Sequence, residues 1–261
     1  MMQFFHPFHL VTMSPWPLLM SLSLMNLFMG FIEYMMELKL NLLIFAMILS
    51  ILILIQWWRD VIRESTLQGF HLIKVINGMQ FGMLLFIIFE VMFFISFFWT
   101  FFHMFLCPSI EIGMKFPSNN IIKFNPFNIP FLNTIILLSS GIFITWSHFS
   151  ILNKNKKMTM ISIIFTIFLG MVFSMFQVFE YFESYFTIND SSYGSIFFLM
   201  TGFHGIHVII GTIFIFISSY RIYLNHYSMN HHFGFESASW YWHFVDVVWL
   251  FLYLFIYWLP M

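Results

Sequence analysis

Gly78–Cys107 reads GMQFGMLLFIIFEVMFFISFFWTFFHMFLC, thirty residues in which one acidic side chain, Glu90, interrupts an apolar run. A helix of about 20 apolar residues crosses the hydrocarbon core of a bilayer. The stretch is therefore a membrane span with a carboxyl group near its middle. An ionised carboxylate at that depth costs about 2.5–3.5 kcal/mol on insertion scales, so such a residue faces other helices or water and marks a functional or assembly site.

Working outward, the whole chain shares this character. Of 261 residues, 61% are hydrophobic and 8% charged, with Phe 40, Met 21 and Trp 9. A soluble core could not hide that much apolar side chain, and the expected class is a polytopic membrane protein. A net charge of −1 leaves no basic footprint for nucleic acid. Cys107 is the single cysteine, which excludes intrachain disulfides, Fe–S clusters and cysteine-rich zinc sites. Met1 to Ser14 carries His6 and His9 but no Lys or Arg and no cleavable small-residue site, so neither a secretory signal nor an Arg-rich transit peptide is expected there.

Seven runs are long enough to span: Trp16–Met35, Leu40–Trp58, Gly78–Cys107, Pro130–Leu152, Met158–Phe186, Tyr193–Leu224 and Phe233–Trp258. The expected architecture is an all-α membrane protein with seven transmembrane helices in a single polytopic domain over 1–261. Helices I–II (about 16–58) and III–VII (about 78–258) would form two subbundles. The connection Arg59–Asn77 carries mixed charge, and Pro108–Ile129 is broken by Pro108, Pro117 and Pro126; both are expected outside the hydrocarbon. Seven basic residues (Arg59, Arg63, Lys74, Lys154, Lys156, Lys157, Arg221) fall on the N-terminal side and three (Lys39, Lys115, Lys123) on the other. The positive-inside rule then puts the N-terminus inside and, with an odd number of spans, the C-terminus outside.

Five histidines fall within spans: His103, His148, His204, His207 and His243. His204 and His207, three apart, share a helix face, but the paired Glu-x-x-His units of a di-iron carboxylate site are absent. Haem could be held by two histidines on facing helices without any motif. Hydrogen-bonded interior histidines are the simpler expectation, because an unsatisfied polar group in lipid costs several kcal/mol. No metal ligand is assigned. Glu90 is either part of a proton route or a structural carboxyl hydrogen-bonded to another helix, with His207 its expected partner. His243 and Asp246 are expected to pair one turn apart, and with no nucleophile placed beside them they do not indicate a hydrolase. Trp57-Trp58-Arg59-Asp60-Val61-Ile62-Arg63-Glu64 joins aromatic rings to charge at the inner end of helix II, and Arg221 and His226 end helix VI on the same side. Cationic groups at one membrane level could clamp a phospholipid phosphate or simply anchor the helices at the interface.

Trp57–Gly69 (WWRDVIRESTLQG), Tyr193–Gly211 (YGSIFFLMTGFHGIHVIIG) and His231–Tyr253 (HHFGFESASWYWHFVDVVWLFLY) strongly resemble the cytochrome c oxidase subunit III family. The likeness runs nearly end to end, from His6-Pro7-Phe8-His9 and Ser14-Pro15-Trp16-Pro17 through Glu90 and Gln177-Val-Phe-Glu180-Tyr-Phe-Glu183. It departs where Leu72 replaces a common threonine after His71, and where Phe149 follows His148 in place of a frequent second histidine.

The resemblance implies a core subunit of the terminal respiratory oxidase in the mitochondrial inner membrane. Such a subunit is made beside its membrane, packs against subunit I with subunit II and others in the complex, and binds no haem or copper of its own. Haem and copper are then expected in partner subunits. Helices I–II and III–VII would enclose a V-shaped cleft holding structural phospholipids, with Trp58, Arg63, His71, Arg221 and His226 at the positions that match the lipid-contacting pattern. Glu90 matches a buried carboxyl whose role lies between proton-uptake support and structure. The competing class is a free-standing polytopic transporter or a histidine-ligated membrane metalloenzyme. A transporter, however, would place substrate-lining polar residues at broken helices, and the intramembrane polar residues here are few.

Overall fold

The computed structural model describes residues 8–110, 113–118 and 121–260. His6 and Pro7 of the quoted N-terminal motif, like the first and last residues of the 1–261 domain, lie outside the described residues. Seven helices among those described are long and apolar enough to cross a membrane: α1 (Trp16–Glu37), α2 (Asn41–Thr66), α3 (Ile73–Leu106), α4 (Ile129–Leu152), α5 (Lys156–Phe182), α6 (Ser192–Tyr223) and α7 (Phe233–Leu252). No strand occurs among the described residues. Helix starts follow local chemistry. Pro17 and Pro130 occupy first-turn positions of α1 and α4, where a missing N–H costs nothing. The side chains of Asn155 and Ser191 accept from the backbone N–H of Met158 and Gly194, satisfying donors that the helix leaves open.

One connection differs materially from expectation, at both of its ends. Arg59–Thr66, expected as part of a connection outside the hydrocarbon, continues α2 for two further turns, and Ile73–Asn77 already belongs to α3. Charge marks where hydrocarbon ends, not where a helix ends. The sequence supplies no breaker until Gly69, whose φ of +68° suits glycine. At the other end, the last six residues of the expected seventh span, Tyr253–Trp258, widen into a π-helix.

The backbone divides into two compact units, with the boundary between Met79 and Gln80 inside α3. In the first, α1 and α2 form a tight hairpin whose turn uses Leu38 in the left-handed conformation (φ +57°). Gly30 lets the backbones touch: a Cβ there would lie 2.7 Å from the Leu43 nitrogen. Trp16 Nε1 donates to Asp60 Oδ2 at 2.7 Å. Glu64 accepts from Thr12 Oγ1 at 3.2 Å and lies 3.1 Å from His9 Nε2. These bonds explain why α2 keeps its helical form past Trp58.

The second unit centres on α7, where Trp242 and Trp249 are fully buried. Small residues bring neighbouring helices close, as is usual where lipid supplies no hydrophobic drive between helices. Ser150 and Thr159 hydroxyls meet at 2.7 Å between α4 and α5. Gly170 and Gly211 make room for the Trp242 ring, whose Nε1 donates to Ser140 Oγ at 2.9 Å. α3 uses large rings instead: Phe93 and Phe97 pack on Phe203 with centroids 5.1 and 5.6 Å apart, and Phe102 packs on Phe255 at 4.8 Å.

Candidate functional site

Glu90, Phe93, Phe94 and Phe97 follow the i, i+3, i+4, i+7 spacing that puts side chains on one helix face. That face of α3 meets α6. Glu90 Oε2 lies 3.0 Å from His207 Nε2, and His207 Nδ1 lies 2.6 Å from the carbonyl oxygen of Phe203. A carbonyl only accepts, so Nδ1 carries a proton and the neutral ring presents a lone pair at Nε2. The contact with Glu90 therefore requires one further proton, held by the carboxyl or by Nε2. The rings of Phe94 (5.1 Å) and Phe244 (6.1 Å) edge the imidazole, and Tyr241 stacks on it at 6.3 Å. Glu90 keeps 25% of its side chain exposed and His207 11%, so the pair is lined by aromatics but not sealed.

His204 and His207 do not act together. Three residues advance a helix to within about 60° of the starting direction, and here that offset sends the two rings to different neighbours. His204 is fully buried against Phe173 (5.6 Å) and Trp249 (5.2 Å). Neither of its nitrogens has a hydrogen-bond partner among the described residues, contrary to the expectation for interior histidines. His243 Nδ1 and Asp246 Oδ2 are 3.8 Å apart, too far for the expected hydrogen bond.

The candidate lipid residues fall in both units. In the first, Trp58 is largely exposed, as is Arg63, and His71 is half-buried. In the second, the Arg221 guanidinium lies 4.4 Å from the centre of the Tyr227 ring, a cation–π contact that orients the fork. The His226 backbone N–H donates to the Arg221 carbonyl at 3.0 Å. Burial, reinforced by the nearby Arg221 charge, lowers the His226 pKa below the ordinary imidazole value, leaving Arg221 as the cation at neutral pH. Burial raises the Tyr227 pKa despite the opposing effect of Arg221.

Glu180 is a further buried carboxyl, which its sequence context does not single out. Glu180 is completely buried, its neighbours include Tyr257, and among the described residues neither carboxyl oxygen meets a hydrogen-bond donor at full geometry. Its position near the end of α5 reads in sequence as interfacial, which hides this burial. The structure also brings together His148, His232 and Glu236, with one potential ligand atom of each within 4.8 Å of the others; the sequence shows the one-turn spacing of His232 and Glu236 but not the approach of His148.

A family model described as cytochrome c oxidase subunit III matches residues 6–261. The chain belongs to the cytochrome c oxidase subunit III family. It is 54% identical over 254 residues to cytochrome c oxidase subunit 3 of Rhipicephalus sanguineus, covering 97% of this chain and 99% of the relative. To the subunit 3 of Drosophila melanogaster it is 53% identical over 253 residues, 97% of each. To that of Locusta migratoria it is 54% identical over 253 residues, 97% of this chain and 96% of the relative. Subunit III family membership makes the chain a multi-pass membrane subunit of a haem-copper oxidase complex, associated with other subunits of that complex, and gives no support to a free-standing transporter or metalloenzyme.

Proposed function

We propose that the chain is a non-redox core subunit of cytochrome c oxidase in the mitochondrial inner membrane, packed directly against subunit I in a complex that includes subunit II. Its N-terminus faces the matrix and its C-terminus the intermembrane space. Haem and copper reside in the partner subunits, and this chain supports sustained proton-coupled electron transfer from cytochrome c to oxygen. The observation that carries this is the family match over residues 6–261. The apolar surface of α3, with Phe81, Phe89, Met92 and Trp99 exposed in the single chain, supplies a face for a neighbouring helix or lipid. The seven-to-three division of basic residues supports the orientation.

Glu90 and His207 form, in this proposal, a structural hydrogen-bonded pair beside the proton-uptake machinery. Trp58, Arg63 and His71 in the first unit, and Arg221 and His226 in the second, contact phospholipid headgroups through charge-assisted hydrogen bonds and stacking. The test is removal of the chain from the purified complex. Haem-copper electron transfer should persist in the first turnovers, while prolonged turnover and proton uptake decline. Immediate loss of electron transfer would instead assign this chain a part in the redox chemistry. An impermeant thiol reagent checks the orientation: exposed Cys107 should react from the intermembrane-space side of mitoplasts.

A further inference from the structure

Three potential ligand atoms converge where the last turns of α4 meet the first turn of α7. His148 Nε2 lies 3.2 Å from His232 Nε2, and His232 Nε2 lies 3.1 Å from Glu236 Oε1. One ligand atom from each of the three residues lies within 4.8 Å of the others. The surrounding bonds fix what these atoms present. His232 Nδ1 is 3.1 Å from the carbonyl of Ser228, so Nδ1 carries a proton, and Nε2 faces a carboxylate oxygen either with a second proton or with a lone pair open to a cation. Gln80 Nε2 donates to the other oxygen, Glu236 Oε2, at 3.3 Å, leaving Oε1 free. His148 packs its ring on Phe235 with centroids 6.0 Å apart. His232 is buried and its two partners are half-buried.

A lone pair of His232 Nε2 facing the Glu236 carboxylate oxygen at 3.1 Å is repulsive unless a cation or a proton lies between. We infer that His148, His232 and Glu236 form a binding site for a single divalent cation of the zinc class, joining α4 to α7. Two imidazoles and one carboxylate are a common zinc donor set with a fourth position left for water. With metal–ligand distances of about 2.0–2.1 Å, the edge of a tetrahedron is about 3.3 Å, close to the two separations seen here. Ser228 and Gln80 play the outer role that such sites use to fix the histidine tautomer and orient the carboxylate. Zinc has no redox chemistry, so this site carries no electron.

The test is titration of the full-length chain in lipid nanodiscs with Zn²⁺ alone, after chelator treatment, followed by zinc X-ray absorption. One saturable zinc per chain, with two imidazole nitrogens in its first shell, is expected. His148→Gln and Glu236→Gln should abolish it. Gln80→Leu, which leaves all three ligands and the helix packing in place, should weaken zinc about tenfold. This milder variant keeps the assignment testable if a ligand substitution fails to fold. No saturable zinc in the natural chain, a first shell without two imidazoles, or zinc affinity unchanged by these substitutions would overturn the site and leave a shared proton between these groups.

Discussion

Gly234 sits directly against Arg221: a Cβ built on Gly234 would lie 2.5 Å from Arg221 Nη1 and 2.6 Å from the Tyr227 hydroxyl oxygen. The first turn of α7 thus leaves the space that the guanidinium occupies at the end of α6. Both atoms in the way are the ends of side chains, which can swing aside without moving a helix.

Gly234→Ala should therefore displace Arg221 from its place over the Tyr227 ring while leaving the fold intact. If Arg221 holds a phospholipid phosphate, tightly bound phospholipid falls in Gly234→Ala to the level seen in Arg221→Gln, with the thermal midpoint of the complex little changed. Full lipid retention in both variants would reduce Arg221 to an interfacial anchor.

His226 gives the same headgroup site a pH dependence of definite sign. Its pKa is lowered by burial and by Arg221, so the ring is neutral near pH 7.5 and gains charge only below the ordinary imidazole range of about 6.5. Retention of anionic lipid by the natural chain should strengthen as pH falls through that lowered value. In His226→Asn this increment should vanish, leaving the Arg221 contribution. An equal increment in both proteins would place the titrating group elsewhere.

Hydropathy made the spans legible because a bilayer demands long apolar runs, and most helix ends fall within a few residues of expectation. It misplaced the end of α2, where Asp60 and Glu64 are held by Trp16, Thr12 and His9 of the same hairpin and helical structure outlasts the apolar run. Glu90 and His207, 117 positions apart, could be anticipated as partners because few polar side chains lie at that depth. His148 and His232, 84 apart, could not, since both lie near helix ends where polar residues are common. The isolation of His204 was equally hidden: a shared face in sequence does not state which neighbour each ring meets.

Packing around Trp242 allows a controlled comparison of two glycines. A Cβ on Gly170 would come within 2.5 Å of Thr212 Cγ2 and 2.8 Å of Trp242 Cη2, whereas Gly205 has nothing within 4 Å. Trp242 is fully buried and tied to Ser140, so it has little freedom to yield. Gly170→Ala should destabilise the subunit by about 1–3 kcal/mol through overpacking. Gly205→Ala should be neutral or stabilising by up to about 1 kcal/mol through helix propensity. Thermal or denaturant unfolding in one detergent decides this, and equal stability for the two variants would contradict the tight α5–α6–α7 contact.

Glu90 itself separates structure from proton transfer through two substitutions. Glu90→Gln keeps the side-chain shape and can donate an amide N–H to the lone pair at His207 Nε2, but it removes the acid. A structural pair then predicts normal assembly and near-normal proton uptake in reconstituted vesicles. Glu90→Ala removes the donor as well, leaving Nε2 unpaired beside Phe94 and a void on α3, a loss of about 1–3 kcal/mol from the unsatisfied group. Assembly or thermal stability of the complex should fall in Glu90→Ala and not in Glu90→Gln. If Glu90→Gln assembles fully yet loses proton uptake, the carboxyl is a proton-transfer group and His207, held in one tautomer by Phe203, becomes its proton-exchange partner.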